Sequence, residues 1–203
     1  MSIRRGSIMK ADKTISWLNL LVLIFCTVVL FFSVKGNSLW IDEGQTFVVI
    51  NATFAKMINT ILKTGNAISG MPLYFICEFC WCKVFGYSEF ALRSMNLIFA
   101  MIILCGSIKL VGIMKLPIWM IIMFALNPVC VYYMNEARPY VAIYACGLWC
   151  FYFLFRHLGD MSSQDVWGFA VCFWLGCALH MMFIFIGFIY LCLVFWSFRL
   201  GKL

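Results

Sequence analysis

The sequence predicts an all-α fold, a polytopic bundle of about six transmembrane helices with two interfacial helices in its first outer loop. Three observations predict this fold class. Of the 203 residues, 65% are hydrophobic and 11% are charged, whereas a soluble domain is about half apolar and about a quarter charged. The mean hydropathy is +1.00. Uncharged apolar runs also exceed the length that a soluble core uses.

The first predicted span is residues 14–34, which carry no charge. At about 1.5 Å per residue this run crosses roughly 30 Å of hydrocarbon. Basic residues precede it, which predicts a signal anchor with a cytoplasmic N-terminus. These residues are Arg4, Arg5, Lys10 and Lys13. The other predicted spans are residues 90–110, 116–133 and 140–155, and an uncharged run of residues 166–198 that divides into two arms near His180.

The first outer loop, residues 35–89, is predicted to hold the two interfacial helices. Apolar residues recur at helical spacing from Phe47 to Leu62, with polar residues opposite, which indicates one amphipathic surface helix. Residues 72–85 are apolar but short for a span, and they carry Glu78 and Lys83, which we interpret as interface anchors. The alternative is a short true span, which would invert the orientation of everything downstream. We treat residues 1–203 as one domain.

The charge pattern excludes a nucleic-acid-binding protein. The net charge is +7, but the Lys and Arg residues are spread along the ends of the predicted spans and not clustered on one face. Arg93, at the start of the second span, is interpreted as snorkelling to the interface. A six-span topology places most basic residues inside. It also gathers the following chemically capable residues at the outer face, a convergence that a seven-span count loses: Asp42, Glu43, Glu136, Arg138 and His180.

The eleven cysteines do not predict a disulfide framework, because most of them lie in or near apolar runs, where cysteine acts as a small hydrophobe. Cys77, Cys80 and Cys82 resemble a metal-binding spacing. No second Cys/His cluster follows them, as a structural zinc site requires, so this signal is weak.

The best candidate for chemistry is the stretch around Asp42 and Glu43, two adjacent carboxylates that follow the first span and Trp40. Carboxylates at the mouth of a membrane span suit general-base catalysis. Alternatives stay open at the level of the residues. The acidic pair could cap a helix. Glu136 and Arg138 could form a local ion pair in a turn, and His180 could be an ordinary turn residue.

Three motifs in register resemble those of the GT-C glycosyltransferases, in the branch that includes protein O-mannosyltransferases, the lipid A aminoarabinose transferase and Rgt-type sugar transferases. The resemblance covers roughly residues 15–198, and three motifs in order are far more specific than one. The matching residues are Trp40-Ile41-Asp42-Glu43, then Pro72-Leu73-Tyr74 with Phe85-Gly86-Tyr87-Ser88-Glu89-Phe90-Ala91-Leu92-Arg93, then Asn127-Pro128 followed by Tyr132-Tyr133, Glu136-Ala137-Arg138 and Tyr140, and finally His180.

The resemblance implies transfer of a sugar from a polyprenyl-phosphate donor to a hydroxyl of a lipid, glycan or protein acceptor, at the outward face of a bacterial inner membrane. Asp42 would be the catalytic base and Glu43 would assist it. Arg138 and Lys83 would hold the donor phosphate. Glu136, Tyr74 and His180 would complete the substrate site. A divalent metal is the one cofactor to consider, with Asp42 and Glu136 as candidate ligands. Family members usually continue with more spans, so the chain would be an N-terminal portion.

Two other function classes remain as alternatives. A non-catalytic membrane subunit that binds a lipid head group would use the same groove without needing Asp42. A secondary transporter ranks last, since it would place ionisable residues in mid-span and show paired repeats, neither of which the sequence contains.

Overall fold

The computed structural model describes residues 17–63, 69–160 and 162–199, and within these ranges it is helical, with no strand. The all-α fold class is therefore confirmed. The predicted basic residues Arg4, Arg5, Lys10 and Lys13 lie outside the described residues. The helices are α1 (Trp17–Ser33), α2 (Ile41–Ile50), α3 (Phe54–Lys63), α4 (Pro72–Phe85), α5 (Glu89–Ser94), α6 (Asn96–Ile113), α7 (Met120–Ala125), α8 (Pro128–Tyr133), α9 (Tyr140–Asp160), α10 (Ser163–Leu179) and α11 (Ile184–Arg199), with a 3₁₀ turn at Met181–Phe183.

Side-chain caps decide where several helices begin. The Ser88 hydroxyl accepts the Ala91 N–H at 3.2 Å at the start of α5. The Asn127 side chain accepts the Cys130 N–H at 3.0 Å, and Pro128 follows it at the first position of α8. A side-chain oxygen of this kind pairs with one of the N–H groups that a helix start leaves without an intrahelical partner. Proline suits the first helical position because the N–H that it lacks would have no intrahelical partner there.

The predicted third span is wrong in its continuity. Residues 116–133 form two short helices, α7 and α8, because the cap at Asn127 and the missing N–H of Pro128 start a new helix. The single amphipathic helix predicted between Phe47 and Leu62 is likewise two helices, α2 and α3, separated by a bend at residues 51–53.

Two helical stretches in the described part of the chain are long and apolar enough to cross a membrane. They are Glu89–Ile113, which combines α5 and α6, and Tyr140–Leu158 within α9. Length and composition are weak support for crossing, because the core helix of a soluble protein meets the same criteria. The apolar helices at Leu20–Ser33 and Met181–Trp196 are shorter. The six-span bundle is therefore not confirmed.

Two main cores hold the helices together. The first packs α1 and α7 against α6 and α9, through residues such as Cys26, Ile103 and Ile121. The second packs α2, α3 and α4 against α5 and the first turn of α9, with Ile50, Phe75 and Leu92 fully enclosed. A smaller cluster joins α9, α10 and the 3₁₀ turn. The second core brings α2 alongside the loop between α8 and α9.

Large apolar side chains also cover much of the outer surface. Trp17 and Phe32 of α1 are 81% and 75% exposed, and Trp167 of α10 is 73% exposed. Others continue along α11. An apolar surface of this extent is typical of a protein whose outer helices face lipid or another apolar partner.

Candidate active site

Glu43 is the centre of a buried ion pair. Its carboxylate is fully buried and is bound at both oxygens by Arg93, whose Nε lies 2.8 Å from Oε1 and whose Nη2 lies 2.6 Å from Oε2. Oε1 also accepts the Ala137 N–H at 2.8 Å, and Oε2 accepts the Trp40 N–H at 3.3 Å. One carboxylate therefore connects α2, α5 and the loop before α9.

The rest of the Arg93 guanidinium fixes the segment before α2. Nη1 donates to the carbonyl oxygens of Lys35 and Asn37 at 2.9 and 2.8 Å, and Nη2 donates to that of Ser38 at 3.3 Å. Arg93 is 3% exposed, so the interpretation that it snorkels to the interface is wrong. Its partners occupy its donors inside the protein, which is why the charge is tolerated there.

Glu43 is held in its ionised form. Burial raises the pKa of Glu43, but the hydrogen bonds and the positive charge of Arg93, with the N–H groups of Ala137 and Trp40, outweigh it. The net pKa lies below the ordinary value of 4.5. An ionised, fully enclosed and fully paired carboxylate is a positioning group. The geometry gives Glu43 no open side for a substrate.

Asp42 occupies the opposite situation from its neighbour. Successive residues of a helix point about 100° apart, so only one of two adjacent carboxylates faces the core. The Asp42 side chain is 37% exposed, and its Oδ2 lies 3.0 Å from Nη2 of Arg138, which is itself buried. An accessible carboxylate beside a fixed guanidinium has the arrangement that a general base next to an anion site requires.

Glu136 lies close to this pair and is nearly enclosed, at 6% exposure. Burial raises the pKa of Glu136, and the negative charge of Glu43 raises it further. Its Oε2 is buried and, among the described residues, has no hydrogen-bond partner. The Asn96 side chain holds the backbone of the same loop by donating to the Glu136 carbonyl at 2.7 Å. Such an unpaired oxygen is costly unless a partner binds it.

His180 lies between α10 and the 3₁₀ turn, where its Nδ1 accepts the Met182 N–H at 3.2 Å. This hydrogen bond assigns the proton of the neutral ring to Nε2. Burial lowers the pKa of His180, and the charge of Arg138 lowers it further. The imidazole therefore enters the site as a neutral group.

A large apolar cavity of about 700 Å³ opens beside His180. Side chains of α6 to α9, the 3₁₀ turn and α11 line it, almost all of them apolar. Tyr140 and His180 are among its polar lining residues, and both lie within electrostatic range of Arg138. Asp42 and Arg138 do not themselves line the cavity, which has the size and lining of a site for an apolar ligand.

Two of the predicted site residues lie on α4. Tyr74 is 1% exposed, inside the second core, where its hydroxyl faces Glu78 and it lies within electrostatic range of Arg138. Lys83 lies nine positions further along α4, about 14 Å at the rise of an α-helix. Its ammonium lies over the rings of Phe79 and Tyr87, 5.1 and 5.7 Å from their centroids. The structure brings together Asp42, Glu43, Glu136, Arg138 and His180, and leaves Lys83 on an exposed aromatic surface.

The predicted metal ligands do not form a set. In the described ranges no three His, Cys, Asp or Glu side chains are grouped so that they could hold a metal ion. Asp42 is already paired with Arg138, whose positive charge opposes a cation beside it. These residues therefore do not fit a divalent metal, and no step below depends on one.

Glu78 was interpreted from the sequence as an interface anchor, but in the structure it is buried in the protein interior. It is fully enclosed, with the Cys82 thiol 3.8 Å from its Oε1. Burial raises its pKa from 4.5 to about 8, so it is protonated at neutral pH. An unfolded chain releases this proton above pH 4.5, so rising pH favours unfolding until pH 8 is reached.

We expect Glu78→Gln, a neutral isostere, to remove this pH dependence. Because the folded protein must keep Glu78 protonated while the unfolded chain ionises it, the free energy of unfolding is about 3 kcal/mol lower at pH 7 than at acid pH. The variant should therefore gain stability over the parent as pH rises from 5 to 8, measured as the midpoint of thermal unfolding in detergent. Glu89→Gln, on the exposed first turn of α5, is the matched control and should run parallel to the parent. A parallel curve for Glu78→Gln as well would show that the carboxyl is ionised in the fold.

Comparison with known proteins identifies no relative. No protein-family model matches the chain, and no curated protein or solved structure is significantly similar to it.

Proposed function

We propose that the protein is an integral membrane glycosyltransferase that moves a sugar from a polyprenyl-phosphate donor to an acceptor hydroxyl at the outer face of the membrane. The observation that carries the proposal is the partly exposed Asp42 paired with buried Arg138, which lies within electrostatic range of two residues that line an apolar cavity. The motifs that resemble GT-C enzymes contribute these residues and Glu136. The two long apolar helices and the apolar outer surface support a membrane location.

In the proposed reaction Asp42 accepts the proton of the acceptor hydroxyl. The acceptor oxygen then forms a bond to the anomeric carbon of the sugar, and the bond from that carbon to the phosphate oxygen breaks. The leaving polyprenyl phosphate carries away the electron pair. Arg138 stabilises the developing phosphate charge, since a guanidinium matches phosphate oxygens with paired N–H groups. Neutral His180 supplies a further donor at the cavity without adding charge.

The apolar cavity binds the first isoprene units of the donor lipid in this proposal. Tyr140 and His180 line the cavity and lie within electrostatic range of Arg138, so the phosphate of a lipid bound there would extend toward that guanidinium. Holding donor and acceptor in one geometry lowers the barrier by removing the entropy of their encounter. Glu43 and Arg93 do not react in this proposal. They fix the start of α2 so that Asp42 faces the acceptor hydroxyl.

The test is a transfer assay with the full chain in lipid vesicles. The donors are undecaprenyl phosphates carrying tritium-labelled glucose or mannose, and the acceptors are methyl glucoside, a seryl peptide and a phospholipid. We expect label to move from the lipid to one acceptor faster than in empty vesicles. Saturable donor binding with no release of label would favour the non-catalytic lipid-binding alternative. Absence of both binding and transfer would refute the transferase.

A further inference from the structure

A second cavity, of about 300 Å³, lies at the N-terminal end of α2. It is formed by the segment before α2 and the loop after α8, and it shares no lining residue with the apolar cavity. We define the Trp40–Tyr132 pocket by its lining residues: Lys35, Asn37, Trp40, Tyr132, Asn135 and Glu136. We propose that this pocket binds one sugar ring of the acceptor and presents its hydroxyl to Asp42, an inference that rests on the proposed transferase function.

The lining has the chemistry that a sugar ring needs. Trp40 and Tyr132 are 49% and 65% exposed, so their rings are available to pack against the C–H face of a sugar. The amide of Asn37 offers both a donor and an acceptor, and the Lys35 ammonium is a further donor. A volume of about 300 Å³ is at the lower limit of small-molecule sites and suits one ring better than a longer glycan.

Glu136 provides a second, independent observation at this pocket. It lines the pocket and is more than nine-tenths buried, and its Oε2 has no hydrogen-bond partner within the described ranges, although the Tyr132 hydroxyl interacts with the carboxyl group. A buried acceptor oxygen that lacks a donor is destabilising, and a ligand hydroxyl would satisfy it. The pocket sets this carboxyl opposite the single ammonium of Lys35, so its lining carries no excess positive charge that would favour a phosphate or carboxylate ligand.

Hydrogen bonds join the pocket walls to each other and to the start of α2, which carries Asp42. The Lys35 N–H donates to Asn135 Oδ1 at 3.0 Å and joins the two walls. Arg93 holds the Lys35 and Asn37 carbonyls, and Glu43 holds the Trp40 N–H. Trp40 is two positions before Asp42, and Asp42 lies within electrostatic range of Glu136. A ring that fills the pocket is therefore held next to the carboxylate that would take its proton.

The experiment measures sugar binding without any donor, so that it is independent of catalysis. The full chain is purified in a detergent without a sugar head group, and binding of radiolabelled methyl glucoside and methyl mannoside is followed by equilibrium dialysis. Glycerol, a seryl peptide and inorganic phosphate serve as competitors. We expect saturable sugar binding that the three competitors do not displace. Loss of one aromatic face in Trp40→Ala or Tyr132→Ala should weaken it about three- to tenfold.

Trp119→Ala is the matched control, because Trp119 is 55% exposed and does not line the pocket. Tyr132 is exposed, so its truncation should leave the fold intact, and near-ultraviolet circular dichroism checks this. The proposal is overturned if no sugar binds, if phosphate or the peptide displaces it, or if both pocket variants bind like Trp119→Ala. Sugar binding without transfer would refute the transferase alone. Transfer with an unchanged acceptor KM in Tyr132→Ala would refute the pocket alone.

Discussion

Glu43→Ala is expected to destabilise the protein by about 3–5 kcal/mol, the loss that follows when one partner of a buried ion pair is removed. The substitution leaves the Arg93 guanidinium enclosed without its counter-charge. It also removes the acceptor for the Ala137 and Trp40 N–H groups. The carbonyl oxygens of Lys35, Asn37 and Ser38 cannot replace a carboxylate, because they carry no net charge. On unfolding, the segment before α2 and the loop before α9 should lose contact with each other before the rest of the structure, because Glu43 joins them.

The measurement is thermal unfolding in detergent, together with limited proteolysis of the chain between α1 and α3. Glu89→Ala is the control, since it removes the same charge from an exposed position and should change stability by no more than about 0.5 kcal/mol. Equal stability of the two variants would show that the buried pair contributes nothing.

A double variant separates charge from packing in the same pair. Glu43→Leu with Arg93→Met removes both charges and leaves none unpaired, so it should cost clearly less than the two single losses added together. An additive loss would instead mean that the two side chains stabilise independent parts of the fold. Unfolding midpoints of the two single variants and the double variant, measured in one detergent, decide between these results.

The gathering of the candidate site could be predicted from the expected order of the apolar runs. Asp42, Glu136 and His180 follow the predicted first, third and fifth runs, and a chain that reverses at each run brings these alternate ends to the same side. The structure places them together with Arg138. Their catalytic and binding roles stay predictions. The all-α class could be predicted for a similar reason, since apolar composition and run length determine it.

The division of roles between Asp42 and Glu43 could not be predicted from their own sequence. Two adjacent acids look equivalent in a linear motif, and what separates them is Arg93, 50 positions later. Its charge was interpreted as facing the interface because that is the usual place for arginine at the end of an apolar run. Only the packing of α4 against both α2 and α5 brings Arg93 inward to Glu43.

Glu78 illustrates the same limit. Sequence composition makes an acid in a short apolar helix costly, and an interfacial position is the simplest way to avoid that cost. The structure avoids it differently, by keeping the carboxyl protonated beside Tyr74 and Cys82. A pKa near 8 depends on burial by distant elements, which a local pattern does not contain.

Asp42→Asn is expected to lower sugar transfer about 10²- to 10⁴-fold, the contribution of a general base in the transition state. Asparagine keeps the shape of the side chain, and its oxygen can still accept from Arg138, but it cannot take a proton from a hydroxyl. The change leaves buried Arg138 without its counter-charge, so some loss of stability is expected, but less than for Glu43→Ala because Asp42 is partly exposed. A loss of transfer far larger than the small shift in unfolding midpoint is the signature of a base.

The measurement is kcat and KM with the undecaprenyl-phosphate donor, which separate the loss of the base from a loss of binding. A lower kcat without a rise in donor KM is expected, because Asp42 does not contact the lipid and its neutralisation leaves the Arg138 guanidinium free for the donor phosphate. Glu89→Gln should transfer at the parent rate. If Asp42→Asn kept its rate and Glu136→Gln lost it, the base would be the nearly enclosed Glu136, whose pKa is raised by burial. Asp42 would then serve only to hold Arg138, and the reacting hydroxyl would lie in the Trp40–Tyr132 pocket itself.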